Sequence, residues 1–165
     1  MAEINNDVAA DALDVLPEEE EVQICLFSIG DETYAIPVEV LIEIIISQKI
    51  FPVPTTPSHV LGVINLRGNI VPVVDIRPTL SLPQSSVPGQ IAIIKQESMM
   101  LGILVDNVSA VISLPISYIQ PLPSETGPQQ DAKSHARFLR GIIHQDTGVV
   151  ALLNIERVID EIMLT

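Results

Sequence analysis

The sequence predicts an all-β fold built from two related units, and three observations carry that prediction. Residues 62–77, G-V-I-N-L-R-G-N-I-V-P-V-V-D-I-R, read as a β-hairpin, with β-rich arms around a turn at Asn65 to Asn69. Shifted by 79 positions, residues 141–156, G-I-I-H-Q-D-T-G-V-V-A-L-L-N-I-E, fall under that stretch without a gap. Gly62 then meets Gly141, Val73-Val74 meet Leu152-Leu153, and Asp75 meets Asn154. At an offset of 67 the repeat reaches further back, where residues 35–39 meet 102–106 and Ile44-Ile45 meet Val111-Ile112. The offset grows by twelve because the second unit carries a longer polar loop, residues 121–136. Each unit is then about 70 residues with about five short strands, marginal alone, so the two are expected to share an interface. Short strands at close spacing suggest small barrels, which remove their own edges.

Residues 1–21 hold eight carboxylates and no Lys or Arg, with few large apolar groups. Such a segment buries too little surface to offset the entropy of ordering, so a disordered acidic tail is expected there. From Val22 the pattern switches to β-rich. Val22 to Ile29 reads as a strand, Gly30-Asp31-Glu32 as a turn, and Thr33 to Ile36 as the answering strand. Pro37 suits the opening of a helical turn over Val38 to Leu41, because its missing N–H costs nothing there. Glu43 to Ser47 reads as a strand from its β-branched residues. Ser58 to Leu61 reads as a short helical turn before the central hairpin. Pro72 inside that hairpin's second arm predicts an edge strand, or one whose N–H side faces away from a neighbour.

Strands are expected at Ile91 to Ile94, Met100 to Val105 and Val108 to Ser113, with a turn near Gln96 to Ser98. The C-terminus differs in kind. Asn154 is a good N-cap, and Ile155, Val158, Ile159 and Ile162 recur on one helical face. Arg157 and Glu161 stand at i,i+4 spacing on the outer side.

The net charge of −13 is unevenly placed: beyond residue 21 there are 13 acids against 8 bases, a net of −5. No basic, aromatic-rich face is available, which argues against nucleic-acid binding. Cys25 is the only cysteine, so no intrachain disulfide can form and no Cys-based metal site is visible. The start lacks the basic and apolar regions of a secretory signal, and no apolar run approaches the ~18–20 residues of a membrane span. These features predict a cytoplasmic protein without membrane insertion.

Little in the chain suggests catalysis. His59, His135 and His144 lie in unlike contexts, and no Ser-His-Asp or Cys-His set or phosphate loop is present. Cys25, in the first strand, reads as a buried inert thiol, and Tyr34 as a core or rim aromatic. Two charged residues are more informative. Arg67 sits at the hairpin turn where the second copy has Asp146, and Glu43 stands among aliphatics where the second copy has Ala110. A requirement of the repeated fold would occur in both copies, so these residues belong to something the first unit alone does. A charge beside exposed aliphatics suits the rim of a docking surface.

Taken together and in order, several motifs resemble the CheW family of chemotaxis coupling proteins. They are G-D-E-T-Y-A-I-P-V at 30–38, Glu43 beyond it, G-V-I-N-L-R-G at 62–68, V-P-V-V-D-I-R at 71–77, L-G-I-L-V-D-N-V at 101–108 and L-R-G at 139–141. The resemblance covers nearly everything beyond the acidic tail. It implies two packed, intertwined five-stranded SH3-like barrels across residues 22–165, with short helical turns and a C-terminal helix. It further implies a non-catalytic adaptor without cofactors. Its partners would be the tip of a chemoreceptor's cytoplasmic hairpin and the regulatory domain of a CheA-type histidine kinase, which would recruit it to membrane-associated receptor arrays.

By motif, the partner-binding set would be Glu43, Asn65 and Arg67, with Gly62 and Gly68 flanking the arginine turn. A receptor groove between the barrels would hold Val38, Leu41, Val105, Val108 and Val111. Related stand-alone members serve twitching or phototaxis pathways, and a scaffold role in such a pathway is the alternative that the resemblance implies. A fused receiver domain does not fit in this length, which excludes the CheV kind. The acidic tail, the apolar run Ile44-Ile45-Ile46 and the proline-rich loop depart from the family's pattern. Outside the family, a small-ligand site in the cleft between barrels is the rival reading.

Overall fold

The computed structural model describes residues 19–46, 48–54, 56, 59–83, 89–122 and 135–164. The expected tail up to residue 18, Ser58 and most of the polar loop lie outside the described residues. Among the described residues, ten strands and one α-helix follow in order: β1 (Glu21–Ile29), β2 (Glu32–Pro37), β3 (Leu41–Ile46), β4 (Val60–Leu66), β5 (Asn69–Val74), β6 (Gln90–Gln96), β7 (Met99–Val105), β8 (Asn107–Pro115), β9 (Leu139–Gln145), β10 (Gly148–Leu153) and α1 (Ile155–Leu164). Short 3-10 turns cover Val38–Val40, Ile116–Tyr118 and His135–Phe138. Among the described residues no helix is long and apolar enough to cross a membrane.

The strands form two five-stranded sheets, ordered β8-β1-β2-β10-β9 and β3-β6-β7-β5-β4. The internal repeat is plain in this order, since β4 and β5 map onto β9 and β10 at the offset of 79, end for end. The halves also trade a hairpin. The β1–β2 hairpin completes the sheet of β8, β9 and β10, and the β6–β7 hairpin completes the sheet of β3, β4 and β5. Neither half of the sequence therefore folds as a separate sheet.

Three apolar cores follow from the alternation along these strands. Ile24 and Leu26 of β1 join Leu114, Ile143, Val150 and Leu152 inside the first sheet's curve. Ile64, Val71, Val73, Ile91 and Ile93 fill the second. The opposite faces, including Cys25, Phe27, Ile36, Ile94 and Ile103, meet in a larger core between the sheets. The four predicted α1 residues, Ile155, Val158, Ile159 and Ile162, are all buried in that shared core. Each such side chain contributes about 1.5–3 kcal/mol before entropy is subtracted. Asn154 caps the helix, its Oδ1 accepting from Arg157 N at 3.2 Å. Cys25 is buried as expected, and desolvation pushes its thiol up from the ordinary range. Tyr34 is buried against Phe27, ring centroids 6.2 Å apart.

Each sheet's edges are drawn together by one bridge. The chain leaving β3 pairs Phe51 with Val63 of β4, and the chain leaving β8 pairs Gln120 with Ile142 of β9. The recurring glycine explains itself at these bridges. A Cβ on Gly62 would collide with the Phe51 carbonyl oxygen, and one on Gly141 would lie 2.7 Å from the Gln120 carbonyl oxygen. The glycine recurs because a strand crosses directly over it.

Three local expectations are corrected, and Pro72 meets the second of its two alternatives. Order begins before residue 22: Glu21 opens β1, Glu20 O accepts from Ile116 N at 2.9 Å, and Glu19 Oε1 accepts from Ser117 N at 2.8 Å. Val60 and Leu61 belong to β4, not to a helical turn. Pro72 lies in an interior strand, and the β7 ladder begins only at Val73, so its missing N–H is tolerated. Glu161 takes Arg137 as its partner at 2.9 Å, because the turn before β9 brings that residue to α1, while Arg157 donates to the Arg137 carbonyl.

Candidate functional site

The two charged residues singled out by the failed repeat meet each other. Arg67 Nη2 lies 2.7 Å from Glu43 Oε2, joining the β4–β5 turn to the opposite edge strand β3. The turn itself explains the geometry. Arg67 and Gly68 have φ of 52° and 87°, the type I′ signature that suits the strands' twist. Glycine accepts that backbone freely, whereas arginine at positive φ is strained by about 1–2 kcal/mol. Asn65 supports the turn, its Oδ1 accepting from Gly68 N at 2.9 Å, and its carbonyl accepts from Gln48 Nε2 at 2.8 Å.

A β-bulge between Leu41 and Glu43 aims the glutamate at this seam. Glu43 is the less exposed partner, 23% against 72% for Arg67. Its second oxygen, Oε1, is buried with no hydrogen-bond partner among the described residues. Buried acceptors are normally satisfied, so this oxygen keeps the capacity to accept from one further donor. Ile42 and Ile46 of β3 and Ile70 of β5, opposite Asn65 in register, are exposed on the same sheet. The second copy has Asp146 and Ala110 at the paired positions and no such ion pair.

The other expected residues divide by burial. Val38, Leu41 and Val108 are half-buried and pack against the core between the sheets. Val111 is exposed on β8, opposite Cys25. Val105 is wholly buried, and Gly62 lies beneath Phe51, so both act behind the surface.

Sequence reading missed one charged group altogether. Arg77, three residues past the end of β5, is buried, and its guanidinium pairs with Asp75 at 3.3 Å and with Asp106. Asp106 stands where the chain crosses between sheets from β7 to β8, and its Oδ2 accepts from Gly30 N at 2.6 Å in the β1–β2 turn. This group ties the end of a strand in one sheet to a hairpin turn of the other. The signal was present as D-I-R at 75–77 closing an apolar run, but the partner Asp106 is 29 residues away.

Comparison with known proteins agrees with this architecture. The profile of the CheW-like domain matches residues 23–163. A protein named chemotaxis protein CheW from Treponema pallidum is 27% identical, spanning 84% of this chain and 82% of its own. One of the same name from Helicobacter pylori is 29% identical over 86% and 83%. Protein FrzA of Myxococcus xanthus is 28% identical over 62% and 66%. The crystal structure of the scaffolding protein TtCheW from Thermoanaerobacter tengcongensis superposes with a TM-score of 0.73 at 25% identity, covering 87% of this chain and 90% of that one. With the profile covering most of the chain and the two-sheet fold shared with a solved relative, this chain belongs to the CheW-like domain family.

Proposed function

We propose that the chain is a non-catalytic scaffold of chemotaxis-type signalling that couples a chemoreceptor to a CheA-type histidine kinase. Family membership supports the class, and the Arg67–Glu43 seam carries the assignment to an interaction surface. A strained, exposed arginine and a glutamate with an open buried oxygen occur in one repeat and not the other, and the exposed Ile42, Ile46 and Ile70 lie on the same sheet. Backbone strain of this kind persists where function uses it. The seam would take a polar partner surface, with Arg67 offering charge-assisted hydrogen bonds to a carboxylate.

The half-buried Val38, Leu41 and Val108, with exposed Val111, would take the apolar face of a receptor helix. A scaffold transmits signal only if it binds the kinase's two states with different affinity. The rigid shared core would make such a difference felt at both surfaces.

The test is recovery of partners by tagged full-length protein from its own cell lysate. A CheA-type kinase and a chemoreceptor should accompany the wild type, and Arg67→Ala should reduce both by about tenfold, the effect of 1.4 kcal/mol. Recovery of neither by folded wild-type protein would overturn the proposal.

A further inference from the structure

The Arg77 group has a counterpart in the other half of the molecule, and that counterpart lacks its arginine. The offset of 79 continues past β10: Ile76 and Leu80 fall over Ile155 and Ile159, and all four are buried in the shared core. Arg77 falls over Glu156. The offset of 67 puts Asp106 over Glu39 and Gly30 over Glu97, and the last two share a left-handed backbone, φ 64° and 57°. One crossing between the sheets is thus sealed by a guanidinium between carboxylates, while the matching positions at the other crossing are three glutamates and, over Asp75, the capping Asn154.

That second crossing is open. Two adjoining clefts, of about 390 and 140 Å³, share Gln96 and Glu156 as walls. Glu97 and Asp160 line the larger and Glu39 the smaller. Among the described residues no basic side chain pairs with these four acids, and Glu156 Oε1 accepts only from Gln96 Nε2 at 3.3 Å. The exposed Arg140 stands on the wall of the smaller cleft, and Asp160 also borders a separate cleft beside Arg137 and Arg157. The larger cleft also has an apolar wall, Met99 and Ile159.

We propose that this cleft, between the β6–β7 turn and the start of α1, takes an arginine side chain presented by a partner polypeptide. The sealed crossing supplies an independent indication of ligand chemistry, because the same fold positions there hold a guanidinium against carboxylates. The apolar wall suits an arginine's methylene stem and the acids suit its fork. A metal ion fits less well, since no three His, Cys, Asp or Glu among the described residues are grouped to hold one. The cleft shares no residue with the Arg67 seam, so the inference does not rest on the function proposed above.

The test is a titration of the full-length, ¹⁵N-labelled chain with the peptide acetyl-Ala-Arg-Ala-amide, followed by amide shifts. Saturable shifts are expected at residues 96–99 and 156–160, weaker with lysine in place of arginine and lost with uncharged citrulline. Glu156→Arg, which builds the guanidinium into the chain as at Arg77, should weaken binding by about tenfold. Glu97→Gln, a substitution at an exposed turn, should weaken it by about threefold. Shifts confined to the acidic residues 1–21, equal binding of the citrulline peptide, or indifference to both substitutions would overturn the proposal.

Discussion

Replacing Arg77 by alanine is expected to destabilise the fold by about 3–5 kcal/mol, because it leaves Asp75 and Asp106 facing each other without their cation. At about 2–4 °C per kcal/mol for a chain of this size, the melting temperature should fall by about 6–20 °C. The size of the effect comes from burial. Arg77's side chain is only 3% exposed, so neither water nor salt can replace its charge. Asp106→Asn should cost less, since an amide oxygen can still accept from Gly30 N. Circular dichroism melts of both variants check the ranking. An Arg77→Ala melt within about 2 °C of wild type, under 1 kcal/mol, would mean the two sheets are not held by this group.

Gly62→Ala should be nearly as damaging, and Gly68→Ala much less so, although both glycines flank the same arginine turn. At Gly62 the backbone has φ of 147° and a Cβ meets the crossing Phe51 strand. Left-handed strain of about 1–2 kcal/mol then adds to overpacking of about 1–3 kcal/mol, a total of about 2–5. At Gly68 φ is 87° but nothing lies within 4 Å of an added Cβ, so strain alone remains, about 1–2 kcal/mol. Urea titration separates the two. Equal losses at both positions would show that the Phe51–Val63 bridge does not close the sheet.

These predictions also show which parts of the molecule are readable in advance. The strands were legible because their signals are local: alternation along β1, turn residues at Gly30 and Gly68, and an apolar helical face at Ile155 to Ile162. The repeat offset of 79 even fixed β9 and β10 from β4 and β5. The exchange of hairpins between the halves was not written locally. A β1–β2 hairpin looks the same whether it pairs with β3 or β8, and only the global fit of the two faces of β1 to two cores decides.

The site was partly legible for the same reason. Arg67 and Glu43 stood out as charges that the second copy lacks. Their pairing depends on a bulge at Ile42 and a return of the chain across the seam, and no spacing rule reports either. The expectation that Val105 and Gly62 lie at a surface came from motif position alone. Their neighbours in the fold put one in the core and the other under a strand.

The Arg67 turn itself bears on the binding role proposed for the seam. Asparagine or glycine at this position would make the type I′ turn without strain. The ion pair with Glu43 recovers little, because an arginine that is 72% exposed pairs in water for about 0–1 kcal/mol. Stability alone therefore gives no reason for arginine here, and the proposed binding role supplies one.

The most direct measurement of that claim compares binding and stability in the same three proteins: wild type, Arg67→Gly and Glu43→Ala. Affinity for the regulatory domain of the kinase recovered with wild type is read by calorimetric titration, beside each protein's melting temperature. Arg67→Gly relieves the turn and removes the guanidinium, so stability should stay within about 1 kcal/mol while affinity falls by about tenfold or more. Glu43→Ala should follow it in affinity. Unchanged affinity in both variants, with a loss of stability instead, would place the pair in the fold and contradict the scaffold surface proposed for it.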